Sequence, residues 1–435
     1  MAERDIEEVL RRVIARQRSA AQPPSDLRDG IWMRITAKTP VGRYPSGFQQ
    51  LAIAAGLAIF VGGVATGFAV LKAARSQPST RPALSASASV KPTPPAPADV
   101  RVVAGNATIQ FSGFTNNVLA TSTALGNPAG IAVDRQGNVF IADNAVAARP
   151  GDAGCQVREV VAATSIIRAV AGTGRPGSSG DGGPATSAAL GTCGGIAVSS
   201  AGDVYVSDLT RSLVRKVDGS TGIITTVAGG GNVLGPKVAG AAAQLNSPHG
   251  LAVDSLGNLY IADTGNNRIC KLEPGGSLTT IAGSPTGNLG GPGGLTGDGG
   301  LAVQARLNSP LGVTIDAKGD LYIADTANNV VRIVTAGDGN INTIAGNGHP
   351  GVSGDGGPAA KAQLLHPQDV AIDESGDLFI SEGEIREVLS QSGTIWTITG
   401  RTQPVTGAQG LAMAQKGLIF VDTAGELIRM LMLSG

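Results

Sequence analysis

The hydrophobic pattern along the chain changes at Leu51 and again at Val100. Leu51–Leu71, LAIAAGLAIFVGGVATGFAVL, is an apolar run without a single charge. From Val100 onward, short apolar segments alternate with turns rich in Gly, Asn and Asp. Segments of that kind predict β-strands joined by tight turns. The chain is therefore predicted to combine one long apolar helix with a β-rich domain.

The stretch Leu245–Gly283 shows the unit that the β-rich part repeats. Its predicted strands are Leu251–Val253, Leu259–Ala262, Arg268–Leu272 and Ser277–Ala282, and the Gly257-Asn258 turn separates the first two. One four-stranded sheet of this size buries too little apolar surface to be stable alone. The unit is therefore expected to stack on copies of itself.

Six copies of the second strand can be counted, each ending on an acidic residue: Asp143, Asp208, Asp263, Asp325, Glu382 and Asp422. The last copy stops after its third strand, Glu426–Met430, whereas Val100–Gly105 reads as a fourth strand with nothing before it. Pairing these two ends would close a ring and remove its exposed edges. The sequence thus predicts six blades, with Val100–Ala104 completing the last one.

The repeated motifs are P-x-G-[IL]-A-V-D, G-N-[LV]-Y-I-A-D-T, N-N-R-I and I-T-T-[IV]-A-G-x-G, with S-G-D-G-G-P-A linkers. They resemble the NHL repeats of β-propellers. The resemblance covers essentially all of 100–435 and implies an all-β, six-bladed NHL-type propeller. That family includes surface receptors, kinase sensor domains, RNA-binding modules and a few enzymes. The resemblance therefore implies a fold and leaves the function open.

Three segments are predicted before the propeller: a helical arm at 1–47, a transmembrane helix at 48–72 and a Pro/Ser/Ala-rich linker at 73–99. The apolar run is long enough to cross a bilayer, and its long lead favours a retained signal anchor over a cleaved signal peptide. A buried helix or helical hairpin is the alternative. The many arginines of the arm favour a cytoplasmic N-terminus and an extracytoplasmic propeller.

The acidic residues that end the second strands could suggest catalysis or metal binding. Because they recur in every blade, we expect them to accept backbone N–H groups and stabilise turns instead. The Ser-Gly-Asp-Gly-Gly stretches containing Asp181, Asp298 and Asp355 lack the features of a P-loop or an EF-hand. They are predicted to be connections between blades, with calcium binding as the alternative.

The three histidines, His249, His349 and His366, lie between a fourth strand and the next first strand, on one face of the predicted disc. Three imidazoles could hold zinc, and the resemblance to propeller lyases implies a metal in the central channel as one alternative. Chance placement is the preferred interpretation, because His349 and His366 flank the same connection. No metal or other cofactor is therefore predicted.

The cysteines give a more specific prediction. Cys155 and Cys193 fall in loops of adjacent blades that emerge on the same face, so a disulfide between them is expected if the domain is exported. Cys270 falls within a third strand and is expected to be buried.

The function that fits these features is non-catalytic binding of a protein or glycan, with the membrane contacted through one helix. The loops that break the repeat are the expected contact surface, and they contain Arg149, Asp152, Asn232 and Asn288. A metal-dependent lyase or hydrolase is one alternative, and a sensor whose residues 1–45 dock a cytoplasmic partner is another. Nucleic acid is not an expected partner, because the net charge is zero and acidic residues outnumber basic ones after the apolar run.

Overall fold

The computed structural model describes residues 99–146, 154–284, 294–399, 405 and 407–433. Within this part the chain forms six antiparallel sheets, and each is one blade of a propeller. Two strands precede the first blade: β1 (Val100–Ala104) and β2 (Val118–Leu119). The all-β, six-bladed architecture predicted from the repeats is confirmed.

The first three blades have the following strands. Blade 1 contains β3 (Asn127–Val133), β4 (Val139–Asn144), β5 (Cys155–Val160) and β6 (Ile166–Ala171). Blade 2 contains β7 (Cys193–Val198), β8 (Val204–Asp208), β9 (Leu213–Val217) and β10 (Ile224–Gly229). After β11 (Lys237–Ala239), blade 3 contains β12 (Pro248–Val253), β13 (Leu259–Asp263), β14 (Arg268–Leu272) and β15 (Ser277–Ala282).

The remaining blades follow the same order. After β16 (Gly300–Leu301), blade 4 contains β17 (Val313–Ile315), β18 (Leu321–Asp325), β19 (Val330–Val334) and β20 (Asn340–Ala345). Blade 5 contains β21 (Asp369–Ile372), β22 (Leu378–Ser381), β23 (Ile385–Leu389) and β24 (Thr394–Thr397). Blade 6 contains β25 (Ala408–Ala414), β26 (Gly417–Asp422) and β27 (Leu427–Met432).

The fourth strand of blade 6 is β1, from the beginning of the domain. It pairs antiparallel with β27, and Val100 lies opposite Leu431 while Ala104 lies opposite Ile428. The predicted closure of the ring by Val100–Ala104 is therefore confirmed. Because the ring is closed, every blade has a neighbouring blade on both sides.

The connections between blades add features that the repeat pattern did not predict. The short strands β2, β11 and β16 each pair outside the fourth strand of the blade that follows them. A single 3-10 turn follows at Ala120–Ser122, Ala185–Ser187, Gly240–Ala242, Ala302–Gln304 and Ala359–Lys361. Two further 3-10 turns, Thr264–Asn266 and Thr326–Asn328, join second to third strands.

The hydrophobic core is divided into six parts, each shared between two adjacent blades. Every residue of β13 is buried, for example, because both faces of a blade pack against neighbours. Its Ile261 belongs to the core shared with blade 2, whereas Tyr260 belongs to the core shared with blade 4. No single blade has a complete core, which agrees with the expectation that one unit is unstable alone.

No helix among the described residues is long and apolar enough to cross a membrane. The predicted arm at 1–47, the predicted span at 48–72 and nearly all of the predicted linker at 73–99 lie outside the described part of the chain.

Candidate ligand-binding face and central channel

The acidic residues that end the second strands are buried and accept hydrogen bonds from backbone N–H groups. Asp143 Oδ1 accepts from Gly126, 2.8 Å away, and Asp263 Oδ1 accepts from Asn246, 2.7 Å away. Glu382 accepts from Leu365 at 2.7 Å, so its longer side chain has the same role as the aspartates. These residues therefore hold the chain that enters each blade, as the repeat pattern predicted.

Five of the six carboxylates also form ion pairs with arginines of the third strands, a contact that the sequence pattern did not reveal; Asp208 is the exception. Arg158 Nη1 lies 3.0 Å from Asp143, Arg268 Nε lies 2.8 Å from Asp263, and Arg429 Nη1 lies 2.7 Å from Asp422. The guanidinium of Arg158 is fully buried, so the pair also satisfies a charge that would otherwise be costly to bury. These acidic residues are structural rather than available to a ligand.

Burial shifts the protonation of these carboxyl groups, and the nearby arginines oppose that shift. Burial raises the pKa of Asp143 to about 6, although Arg158 lowers it. Burial raises the pKa of Asp325 to about 7, and there the nearest nitrogen of Arg332 is 3.8 Å away. The nearby carboxylate of Asp298 raises the pKa of Asp325 further.

The Ser-Gly-Asp-Gly-Gly stretches use their aspartates to fasten each connection to the blade that follows. Asp181 Oδ1 lies 2.5 Å from Arg215 Nη2, and its other oxygen accepts a hydrogen bond from the Thr226 backbone at 3.0 Å. Burial opposes ionisation, but these bonds together hold the pKa of Asp181 below its ordinary value. Asp298 and Asp355 make the equivalent contacts. The connection role is therefore sufficient to explain these residues.

The three histidines do not form a metal site. No group of three or more His, Cys, Asp or Glu side chains in the described residues is placed to hold a metal ion. His249 lies within β12 on the wall of the central channel, whereas His349 and His366 are exposed. Burial lowers the pKa of His249 to about 4, so its imidazole is neutral at neutral pH.

All three cysteines lie among the described residues. Cys155 and Cys193 begin strands of adjacent blades, and they are disulfide-bonded in the structure with their Cα atoms 5.8 Å apart. Cys270 is a buried free thiol. Cys270 pairs with Ile261 of the second strand in blade 3, just as Arg158 pairs with Ile141 in blade 1. Blade 3 therefore has a cysteine at the position where blade 1 has an arginine.

The first strands of the six blades line a central channel of about 250 Å³. At its end nearer the connections between blades are His249, Gln368, Asp369 and Gln409. Toward the other end the walls are aliphatic: Val133, Val198, Val253, Ile315, Ile372 and Met413. The channel is thus polar at one end and apolar at the other.

Comparisons with known proteins agree with the repeat. The NHL repeat family profile matches residues 245–272 and 307–334. Bovine NHL repeat-containing protein 2 is 29% identical over 153 residues, which cover 35% of this chain and 20% of that protein. The domain is an NHL-repeat β-propeller.

Other relatives of this NHL propeller are similar over limited segments. Human Teneurin-4 is 36% identical over 108 residues, or 23% of this chain and 4% of that protein. The matched segments thus span a small part of these relatives' length. A Bacteroides thetaiotaomicron structural genomics protein of unknown function superposes with a TM-score of 0.53 at 16% identity, covering 77% of this chain and 76% of that one. At this identity the superposition shows the fold alone.

The two ends of the NHL propeller differ in how strictly they repeat. In five of the six blades, the hairpins between first and second strands share one geometry: Asp254 Oδ1, for example, accepts from the N–H groups of Leu256 and Asn258, and Gly257 has a φ of +82°. The hairpin of blade 6 is tighter, and Ala414 pairs directly with Gly417. Equivalent turns follow Asp134, Ser199, Asp316 and Asp373. We call this end the hairpin face.

The opposite end carries the second-to-third-strand loops and the connections between blades, and we call it the connection face. Antiparallel up-and-down order places the second-to-third-strand loops and both ends of each connection here. Between those ends, β2, β11 and β16 run outside the fourth strands as far as the first residues of those strands, next to the hairpin face. The insertion after Ala145 and the long connection after Ala282 leave from it. Of the predicted contact residues, Asn232 is exposed there, whereas Arg149, Asp152 and Asn288 lie outside the described residues.

Exposed aliphatic side chains are also found in the segments of the connection face. Val146, Val233, Leu295 and Val352 are between 40% and 62% exposed. On the hairpin face, Leu256 is 79% exposed at the tip of its turn. Leu119 and Leu301 are also exposed near that face, opposite the first residues of fourth strands.

Proposed function

We propose that this NHL propeller is a non-catalytic binding domain that contacts its ligand through the connection face. The observation that carries the proposal is the contrast between the two ends of the domain. Five of the six hairpins between first and second strands repeat one geometry, whereas the second-to-third-strand loops and the connections between blades vary in length from blade to blade. Variable loops on a rigid scaffold are where binding residues concentrate.

The ligand class is a protein or a glycan, and a protein is favoured. The large apolar side chains exposed on the connection face are aliphatic, which suits burial against an apolar patch of a partner. The acidic residues of the blades do not compete with this interpretation, because arginines and backbone N–H groups already bind them.

We also propose that the chain is anchored in a membrane, with the propeller outside the cytoplasm. The support is the uncharged run Leu51–Leu71, the arginine-rich arm before it and the Pro/Ser/Ala-rich spacer after it. The disulfide between Cys155 and Cys193 suits an oxidising compartment. Docking of a cytoplasmic partner by residues 1–45 remains a proposal of the same kind.

Three experiments test these proposals, one for the binding face, one for the anchor and one for the orientation. Capture of a partner by the immobilised propeller should be lost on the double substitution Val233→Asp and Val352→Asp, and kept with Leu256→Asp on the hairpin face. Equal capture by both variants would contradict a binding role for the connection face.

For the anchor, the full chain should resist carbonate extraction from membranes and a chain lacking 48–72 should not. Protease added to intact cells should digest the propeller, and protection would contradict the orientation.

A further inference from the structure

A ring of residues surrounds the channel where the first strands of the six blades come closest. Five positions of the ring are glycine: Gly130, Gly195, Gly250, Gly312 and Gly410. A Cβ on Gly195 would lie 2.9 Å from the Cα of Gly250, and a Cβ on Gly250 would lie 3.0 Å from the Cα of Gly312. Glycine is needed because neighbouring backbones approach so closely. The sixth position of the ring is Asp369.

The side chain of Asp369 has no cationic partner among the described residues. Its Oδ2 accepts from the Leu411 N–H at 2.8 Å, and its Oδ1 accepts from its neighbour Val370 at 2.9 Å. Two ionised oxygens can accept about four hydrogen bonds, so capacity remains on both. The second-strand carboxylates of this propeller, by contrast, mostly have an arginine beside them.

No other side chain on the channel wall compensates this charge. Among the residues that line the channel, only His249 and Asp369 can titrate, and the lowered pKa of His249 leaves it neutral. Gln368, Gln409 and Thr314 are polar and uncharged. An ionised Asp369 therefore gives the polar end of the channel a net negative charge, above aliphatic walls that suit an alkyl chain.

We propose that the channel binds the ammonium or guanidinium group of a ligand at Asp369, with the ligand's alkyl portion against the aliphatic walls. A free alkylamine and a lysine or arginine side chain of a partner protein offer the same chemistry. The proposal does not depend on the connection face, because the channel lies along the axis of the ring. It assigns a ligand class to the one ring position that departs from glycine.

The affinity for such a cation should depend on pH. Burial raises the pKa of Asp369 to about 7, and only the ionised form attracts a cation. Because His249 titrates well below that range, the affinity should rise about tenfold between pH 6 and pH 8 with no other channel group contributing.

The test uses the full chain in detergent, with butylammonium and its neutral analogue 1-butanol as probes in calorimetric titrations. Butylammonium should bind more tightly than butanol, with the stated rise between pH 6 and pH 8. Asp369→Asn should weaken ammonium binding by about tenfold or more and abolish the pH dependence. Asp369→Gly, which introduces the residue of the other five blades, should do the same. Glu374→Gln, an exposed acidic residue of the same blade outside the channel, is the matched control and should keep both the affinity and its pH dependence.

A second arm identifies the source of the cation, using acetyl-Gly-Lys-Gly-amide and the same peptide with norleucine. Preference for the lysine peptide over butylammonium indicates a partner side chain, and the reverse preference indicates a small amine. The proposal is overturned if neither cation binds better than its neutral counterpart. It is also overturned if Asp369→Gly, folded as judged by circular dichroism, binds butylammonium as the unmodified chain does.

Discussion

Nη2 of Arg386 lies 2.7 Å from Oδ1 of Asp355, so the connection that leads into blade 5 is fastened to the third strand of that blade. The guanidinium is almost fully buried, whereas the carboxylate is partly exposed. Replacing Asp355 with alanine leaves a buried cation with one acceptor fewer. We expect the free energy of unfolding to fall by about 2 kcal/mol in urea titrations.

Glu374→Ala is the matched control for that substitution, because Glu374 is an exposed acidic residue of the same blade. Its effect should stay within about 0.5 kcal/mol. Equal losses for the two variants would show that Asp355 does not fasten the connection.

Glu387 makes stability depend on pH. Burial, with the nearby carboxylates of Asp377 and Asp373, raises its pKa from 4.5 to about 7. Between those values the folded state binds a proton that the unfolded state has lost, so this residue makes stability fall as pH rises from 4.5 to 7. Glu387→Gln cannot lose a proton. The free energy of unfolding of the variant, measured relative to that of the unmodified protein, should therefore rise by about 1 kcal/mol from pH 4.5 to pH 8. This figure is reduced for solvent screening.

Denaturant titrations at both pH values measure that gain, with Glu374→Gln as the exposed control. A difference between variant and unmodified protein that does not change with pH would contradict the raised pKa of Glu387.

The disulfide between Cys155 and Cys193 closes a loop of 38 residues across two blades. Replacing both cysteines with serine should lower the free energy of unfolding by about 3 to 4 kcal/mol, mainly by releasing the unfolded chain. Cys270→Ser should leave the bridge intact. Mass mapping without reductant checks the pairing, and three free thiols in protein recovered from its native cells would contradict both the bridge and an oxidising location.

The closing strand β1 should be required for a stable ring. Removing residues 1–98 should leave a soluble domain with a single cooperative thermal transition. Removing residues 1–104 takes away the partner of β27 and opens an edge in blade 6. We expect aggregation or a much lower melting temperature. Equal melting temperatures for the two truncations would contradict the closure.

The repeat pattern was sufficient to predict the blade count and the closure, because strand period and turn residues are local signals and the unpaired end strands complement each other. The arginine contacts could not be predicted in that way. Arg215 binds Asp181, which is 34 residues earlier in the chain. Nothing local to Arg215 indicates its partner. In blade 3, Arg268 is only five residues after Asp263, but it lies two residues before the third-strand position at which the other blades have their arginine.

Asp369 shows a different limit of the sequence pattern. The substitution of Asp for Gly is visible when the first strands are aligned, as DVAID against GIAVD and GLAVD. The role of this substitution can be inferred only from the closed ring. The ring places the Asp369 carboxylate beside Gly312 and the Leu411 N–H, in a channel whose lining residues include no lysine or arginine.

Site-specific photo-crosslinking in intact cells tests the central claim, that the connection face binds the ligand, most directly. Benzoylphenylalanine replaces either Asn232 on the connection face or Leu256 on the hairpin face, both of which are exposed. We predict that irradiation yields a discrete adduct from position 232 and none from position 256. An adduct from position 256 alone, or from neither position, would contradict binding through the connection face.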